Sequence, residues 1–265
     1  DNHITLENNK RKLIKEIQNK VNKELDSKFA QINDYLAKDL WQEIYVNRQG
    51  KAVSKPNSVQ HSVPAWLIFG MFFIMIPLSN VMAMERQTNT LTRLNMARAP
   101  AWKLLAAKLI PYFLINQLQF AGMVALGAWV LPLLGMPPFA LAGGWAGYAA
   151  VSCAVSLAAL GYGLLVSVLA KTTEHAVVLG GGGIIIMAAL GGVMVPVHIM
   201  PALMQQISQL SPMGWGLSAF QKLLLNHYTL VQIAPQLLRL AGFGLAALAA
   251  AAALYRRQLK TQARF

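Results

Sequence analysis

The sequence predicts an all-α polytopic membrane protein, and three observations carry that class. Hydrophobic residues fill 55% of the 265 positions and charged residues only 12%, a balance far more apolar than that of a soluble domain of this length. Of the ten acids, all but Glu85 and Glu174 precede residue 62, so a polar first quarter gives way to a nearly acid-free remainder. Beyond that boundary the apolar residues gather into five runs, each near the ~20 residues that a bilayer-spanning helix requires. Two regions in different solvents follow. Residues 1–62 read as an extracytoplasmic helical domain and linker, and residues 63–265 as a transmembrane domain.

The first element is amphipathic. From Leu6 to Leu40 the apolar residues Leu13, Ile17, Val21, Leu25, Phe29, Ile32, Leu36 and Leu40 recur three or four apart, the period of a helix with one apolar face. Such a face suits a helix packed within a soluble domain, or else a coiled coil. Asn47 to Ser58, "NRQGKAVSKPNS", reads as a linker. The five spans are expected at Val63 to Met84, Leu109 to Leu131, Gly144 to Leu169, Ala176 to Pro196 and Ala234 to Tyr255. Residues 197–230 are amphipathic, interrupted by Pro201, Pro212 and Gly214, and too polar for a simple span. Short interfacial or re-entrant helices fit them best.

Lysine and arginine near span ends set the orientation. Arg86, Arg93, Arg98, Lys103 and Lys108 surround the first loop, 85–103; Lys171 marks the third; Arg256, Arg257, Lys260 and Arg264 fill the tail. The rule puts all of these in the cytoplasm. Opposite them stand only Lys222 and Arg239, the latter able to snorkel outward. The N-terminal region is then extracytoplasmic, and an external start with a cytoplasmic end fits five spans. A native chain that begins in the cytoplasm would need one further helix ahead of residue 1, six in all.

Several chemistries are disfavoured. The net charge of +13 is no nucleic-acid signature, because the basic residues beyond residue 62 sit at the ends of apolar runs rather than in a patch interleaved with aromatics. His3, His61, His175, His198 and His227 lack partners at metal-ligand spacing, and the single Cys153 builds neither a disulfide nor a cysteine-based metal site. No nucleophile pairs with a base, so no catalytic residue is assigned. Gly180 to Gly183 lacks the Lys-Ser/Thr of a phosphate loop and suits close helix packing, as do Gly143 and Gly147. No acid falls at the middle of a span, where ion-driven transporters place them. The deepest polar residues are Asn116, Gln117 and Gln119 with Ser152 and Ser156, either lining a translocation path or bonding helix to helix.

After the charged pair Glu85-Arg86, the stretch "TNTLTRLNMARAP" sets Leu91, Leu94 and Met96 among polar residues and closes on Pro100. A short amphipathic helix here could lie in a partner's groove, or the segment could be a basic connector at lipid headgroups. The order of elements resembles the second half of an ABC-2 type permease, the membrane subunit of ABC exporters. Glu85 and Arg86, "NTLTRL" from Asn89 to Leu94, "RAP" from Arg98 to Pro100, and Lys108 carry the likeness, with the passage "GGVMVPVHIMPALMQQISQLSPMGWGLSAFQKLLL" ahead of the last helix. Asn89 departs from the commoner glycine.

The resemblance implies that Leu91 to Met96 forms a coupling helix against a separate ABC ATPase. Glu85, Arg86, Leu91, Thr92, Arg93, Leu94, Met96 and Arg98 are then the coupling residues. It also implies that ATP and magnesium are bound by the ATPase, that a second permease, identical or not, completes the pathway, and that a periplasmic adaptor and membrane lipid are further partners. The expected location is the bacterial cytoplasmic membrane and the expected function ATP-driven export, with no cofactor in this chain and no nucleic-acid partner. An ion-coupled transporter or channel, or a membrane scaffold, are the rival readings. No residue reads a specific substrate group.

Overall fold

A computed structural model describes residues 15–29, 45–46, 52–53, 58–88, 101–136, 139, 141, 145–226 and 228–262. The chain divides into two compact units, Asp1–Lys55 and Pro56–Phe265. In the first, residues 15–29 form helix α1; the flanks of the expected Leu6 to Leu40 helix lie outside the described residues. Ile17, Val21, Leu25 and Phe29 make one stripe along α1, and this stripe is exposed. Strands β1 (Tyr45–Val46) and β2 (Ala52–Val53) pair antiparallel, Tyr45 opposite Val53. The reading of Asn47 to Ser58 as a linker is corrected in its middle, where β2 lies, and at its last residue, since Ser58 opens the next helix. Tyr45 and Val46, followed by Asn47 and Gly50, are a hairpin signal that the linker reading passed over.

The second unit is helical throughout its described elements. Helices α2 (Ser58–Phe72) and α3 (Met75–Gln87) take the place of one expected span. Pro77 explains the break: it has no N–H to continue the ladder onto Phe73, and the Phe73 carbonyl instead accepts the N–H of Ile76 at 3.0 Å. Pro77 thereby falls in the first turn of α3, where it is tolerated. Together the two helices still form one apolar crossing, Val59–Glu85.

Helix α4 (Ala101–Ala125) passes through a π turn, Leu126–Val130, into a last turn at Leu131–Leu133. The wide turn lets the Gly127 carbonyl accept the Phe139 N–H at 3.4 Å, and a Cβ on Gly127 would stand 3.2 Å from the Phe139 ring. Helix α5 (Trp145–Leu169) is the central element and packs against α2, α3, α4, α8 and α9. Helix α6 (Thr173–Leu190) starts three residues earlier and stops six earlier than the sequence suggests. Thr172 caps it by accepting the His175 N–H at 3.1 Å. At its other end Gly192, with φ +83°, turns the chain away from the helix, leaving Pro196 outside it.

Between α6 and α9 the chain forms a 3₁₀ turn (Val197–Ile199), α7 (Ala202–Ser208) and α8 (Pro212–Asn226). α8 is packed into the bundle against α2, α5 and α9. Its Phe220 meets the rings of Phe120, Phe139 and Tyr148 at centroid distances of 5.8, 6.3 and 5.3 Å. Helix α9 (Leu230–Gln262) is the longest, running four residues ahead of and seven beyond the expected Ala234 to Tyr255. Five segments are long and apolar enough to cross a membrane among the described residues. Only 11% of the α4 crossing is buried, against 67% of the α5 crossing, so α5 is the core of the bundle and α4 its flank.

Candidate functional site

The contacts at one end of the bundle join the C-terminal ends of α3, α5 and α9 to the start of α4. Lys108, seven residues into α4, forms an ion pair with Glu85 near the end of α3. Both side chains are largely enclosed, at 10% and 20% exposure. Lys108 Nζ also contacts Met82 Sδ at 3.3 Å and lies 5.8 Å from the centroid of the Tyr255 ring, within cation–π range. Four residues along α4, the Tyr112 hydroxyl donates to the Pro77 carbonyl at 3.2 Å. Gln258 Nε2 donates to the Val168 carbonyl at 3.0 Å. One layer lower, Ser79 and Ser167 share a buried hydrogen bond of 2.8 Å, and the Ser167 hydroxyl reaches the Gly163 carbonyl at 2.6 Å.

The Glu85–Lys108 pair ties α3, which precedes residues 89–100 in the chain, to α4, which follows them. Leu91, Thr92, Arg93, Leu94, Met96 and Arg98, the expected coupling residues, lie outside the described residues. Arg86 is placed in α3 next to Glu85. Of the residues around the segment, Glu85 was singled out from the sequence as a coupling residue, whereas Lys108 was noted for its charge and as part of the family likeness but given no role. Its role becomes visible only once α3 and α4 are brought side by side.

The polar residues of α4 and α5 fall into two groups. Gln117 spans the interface: its Nε2 donates to Ser156 Oγ and its Oε1 accepts from Ser152 Oγ, both at 2.7 Å. Ser152 and Ser156 are one helical turn apart on α5, so one amide engages both. Asn116, on a different face of α4, is fully buried, and neither its Oδ1 nor its Nδ2 has a hydrogen-bond partner. Gln119 lies against α2, where a Cβ on Gly70 would come within 2.6 Å of its Nε2. The structure therefore unites Gln117, Ser152 and Ser156, leaves Gln119 against α2, and keeps Asn116 buried apart from the Gln117 clamp. Measured interhelical bonds in membranes average ~0.6 kcal/mol, so Gln117→Leu is expected to lower unfolding free energy by about 1 kcal/mol, read from thermal unfolding in detergent.

The glycines follow a pattern that the sequence reading only partly anticipated. Gly180 meets Met75 and Val166, and Gly183 meets the Tyr162 hydroxyl, while Gly181 and Gly182 face open space. Gly147 accommodates Leu223 of α8; Gly143 lies outside the described residues. Among the described glycines, the tightest contact to another helix's backbone is at Gly161 and Gly244, where α5 and α9 cross. Among the described residues no cluster of histidine, cysteine or acid could hold a metal ion.

Five apolar crossings, a polar clamp between two of them and an ion pair closing a loop define a multi-pass membrane protein organised around its helix contacts. Residues 4–253 match the model of the ABC-2 family transporter protein family, and the chain belongs to that family. It is similar to the probable multidrug ABC transporter permease YbhR of Escherichia coli strain K12, 29% identical over 141 residues, which is 52% of this chain and 36% of that one. It is also similar to the linearmycin resistance permease protein LnrN of Bacillus subtilis strain 168, 25% identical over 164 residues, 60% of this chain and 40% of that one. The matched stretch spans less than two thirds of either relative. The chain is thus a multi-pass membrane protein of the ABC-2 transporter family.

Proposed function

We propose that the chain is the permease part of an ATP-driven exporter of the bacterial cytoplasmic membrane, working with a separate ABC ATPase that binds ATP and magnesium. The observation that carries the reading is the Glu85–Lys108 pair. A force applied to residues 89–100 reaches α3 and α4 together, because their bases are tied to each other and to Tyr255 of α9. In this reading Leu91, Leu94 and Met96 enter a groove on the ATPase, and Thr92, Arg93 and Arg98 hold the segment's polar face. The family supports the division of labour, and so does the absence of any acid between Glu85 and Glu174 or beyond Glu174 in the chain.

Residues 1–62 are extracytoplasmic in this scheme, with 197–230 on the same side and the C-terminus in the cytoplasm. Substrate crosses between this permease and a second one, and a periplasmic adaptor continues the route. The α4 face carrying Ile110, Leu114 and Leu118 is exposed and apolar, suited to lipid or to that second subunit. Asn116 supports a place for α4 in the path: a buried amide with no partner in one state gains hydrogen bonds if the packing around α4 opens. The relatives are named for multidrug transport and for linearmycin resistance, which makes amphipathic small molecules the substrate class to test first.

Replacing Leu91 and Leu94 by alanine in the assembled transporter is expected to reduce nucleotide-dependent transport at least tenfold, with normal membrane insertion. Uptake into inverted vesicles measures it, with pull-down of the ATPase as the second readout. Undiminished transport by a well-expressed variant refutes the coupling assignment.

A further inference from the structure

The other end of the bundle holds a feature that transport coupling does not explain. A cavity of about 380 Å³ opens among α6, α7, α8 and α9, walled by Gln205, Ser208, Gln209, Gln221, Gln236 and Arg239. Arg239 to Tyr255 is sixteen residues of α9, roughly 24 Å at 1.5 Å per residue, so the cavity is remote from the Glu85 end. Its wall sets these polar side chains among Val197, Trp215 and Leu217. Gln205 Nε2 is held by the Met200 carbonyl at 2.9 Å, and Gln221 Nε2 pairs with His61 Nδ1 at 2.8 Å. The Gln236 amide donates to the Ile233 carbonyl at 3.0 Å while its oxygen faces Lys222 Nζ.

Two cations thus meet in this corner. Burial first, and the charge of Arg239 second, hold the Lys222 ammonium below its ordinary pKa. A like-charged pair in a partly desolvated site is unfavourable unless an anion stands by. The chain beyond residue 62 has only two acids to offer. Glu85 is taken by Lys108. Glu174 sits in the first turn of α6, whereas the cavity adjoins Gly191 at the opposite end of that helix.

Alongside the polar wall, Ile199, Leu203 and Leu210 point outward and are exposed. They flank the wall residues Gln205 and Gln209 in sequence and give that segment an exposed apolar side. Arg239 is nine residues past the first residue of α9, about 13 Å along the helix axis, inside the span but near enough to its end for the long side chain to snorkel toward the headgroups.

We propose that this cavity binds the anionic phosphate headgroup of a membrane lipid, held by Arg239 in its wall and by the charge of Lys222 beside Gln236, with the acyl chains lying along Ile199, Leu203 and Leu210. The guanidinium of Arg239 supplies paired donors and Lys222 a second positive charge. The glutamine amides accept and donate to the glycerol end. The assignment is independent of residues 89–100, so it stands or falls separately from the coupling mechanism.

The experiment uses the purified full chain in detergent, with the melting temperature followed during titration. Phosphatidylglycerol, phosphatidylcholine with the same acyl chains, and inorganic phosphate are the probes. Phosphatidylglycerol is expected to raise the melting temperature saturably and phosphatidylcholine to do so at least tenfold less effectively. Arg239→Gln and Lys222→Gln should each weaken the phosphatidylglycerol response at least tenfold, and Lys222→Arg should retain it. Inorganic phosphate reproducing the shift with the same dependence on Arg239 supports the anion site and makes its occupant a soluble ion. Equal responses to the two lipids, or a phosphatidylglycerol response unchanged in both glutamine variants, overturns the proposal.

Discussion

Gly161→Val is expected to prevent recovery of folded, monodisperse protein, the largest stability effect of any single substitution in the bundle. A Cβ at Gly161 would lie 2.5 Å from the Gly244 carbonyl oxygen and 3.1 Å from its Cα. From the other side, a Cβ at Gly244 would lie 2.8 Å from both the carbonyl carbon and the carbonyl oxygen of Leu157. These neighbours are backbone atoms, which cannot rotate aside. In lipid, helices gain no hydrophobic attraction for one another, so association depends on packing and on close approach through small residues. Overpacking a tight contact costs about 1–3 kcal/mol even for a small addition. Gly161→Ala should therefore destabilise by roughly that amount and Gly161→Val should exceed it. Because Gly161→Ala and Gly244→Ala force apart the same crossing, the double variant is expected to cost less than the sum of the two. Gly182→Ala is the control: nothing lies within 4 Å of its Cβ position. Size-exclusion profiles and melting temperatures in detergent decide the matter. Equal behaviour of Gly161→Ala and Gly182→Ala would show that α5 and α9 are not held by this approach.

The contrast between these glycines marks how far the sequence could be read. The spans were legible because a bilayer imposes length and apolarity on any helix that crosses it, and both are properties of a single segment. Which glycine lies at a crossing depends on two segments at once. The run Gly180 to Gly183 is conspicuous in sequence, yet half of it faces open space, whereas Gly161 and Gly244 each sit in an unremarked "GYG" or "GFG". The ends of α2, α3 and α6 were displaced by Pro77 and Gly192, local rules that a hydropathy window averages away. The family resemblance was read from the residues around the first loop and ahead of the last helix, and the family match covers residues 4–253. The polar residues of α4 were legible as a group but not by role. Gln117 is committed to Ser152 and Ser156, while its buried neighbour Asn116 is left with unused donors and acceptors, a distinction set by a rotation of about 100° per residue around the helix.

Glu85→Ala is expected to leave ATP hydrolysis by the assembled transporter running while substrate transport falls at least tenfold. Two physical effects combine. Removing the carboxylate strands Lys108, whose side chain is 10% exposed, and breaking an enclosed ion pair by deleting one partner costs about 3–5 kcal/mol. It also unties α3 from α4, so displacement of residues 89–100 is absorbed by the two helix ends moving independently. The two effects are separable. In Glu85→Gln/Lys108→Met no buried charge is stranded, and hydrophobic replacement of such a pair is often neutral for stability. Melting temperature should then return toward that of the wild type, but transport should stay low, because the rigid tie is still missing. A pair that serves stability alone would instead restore both together. Lys108→Arg tests the geometry further: it keeps the charge but adds a planar fork beside Met82 and Tyr255, and is expected to preserve most of the stability and part of the transport. Measuring hydrolysis, transport and melting temperature on the same preparations places each variant on this scheme, and recovery of transport in the double variant would remove Glu85 and Lys108 from the path of force.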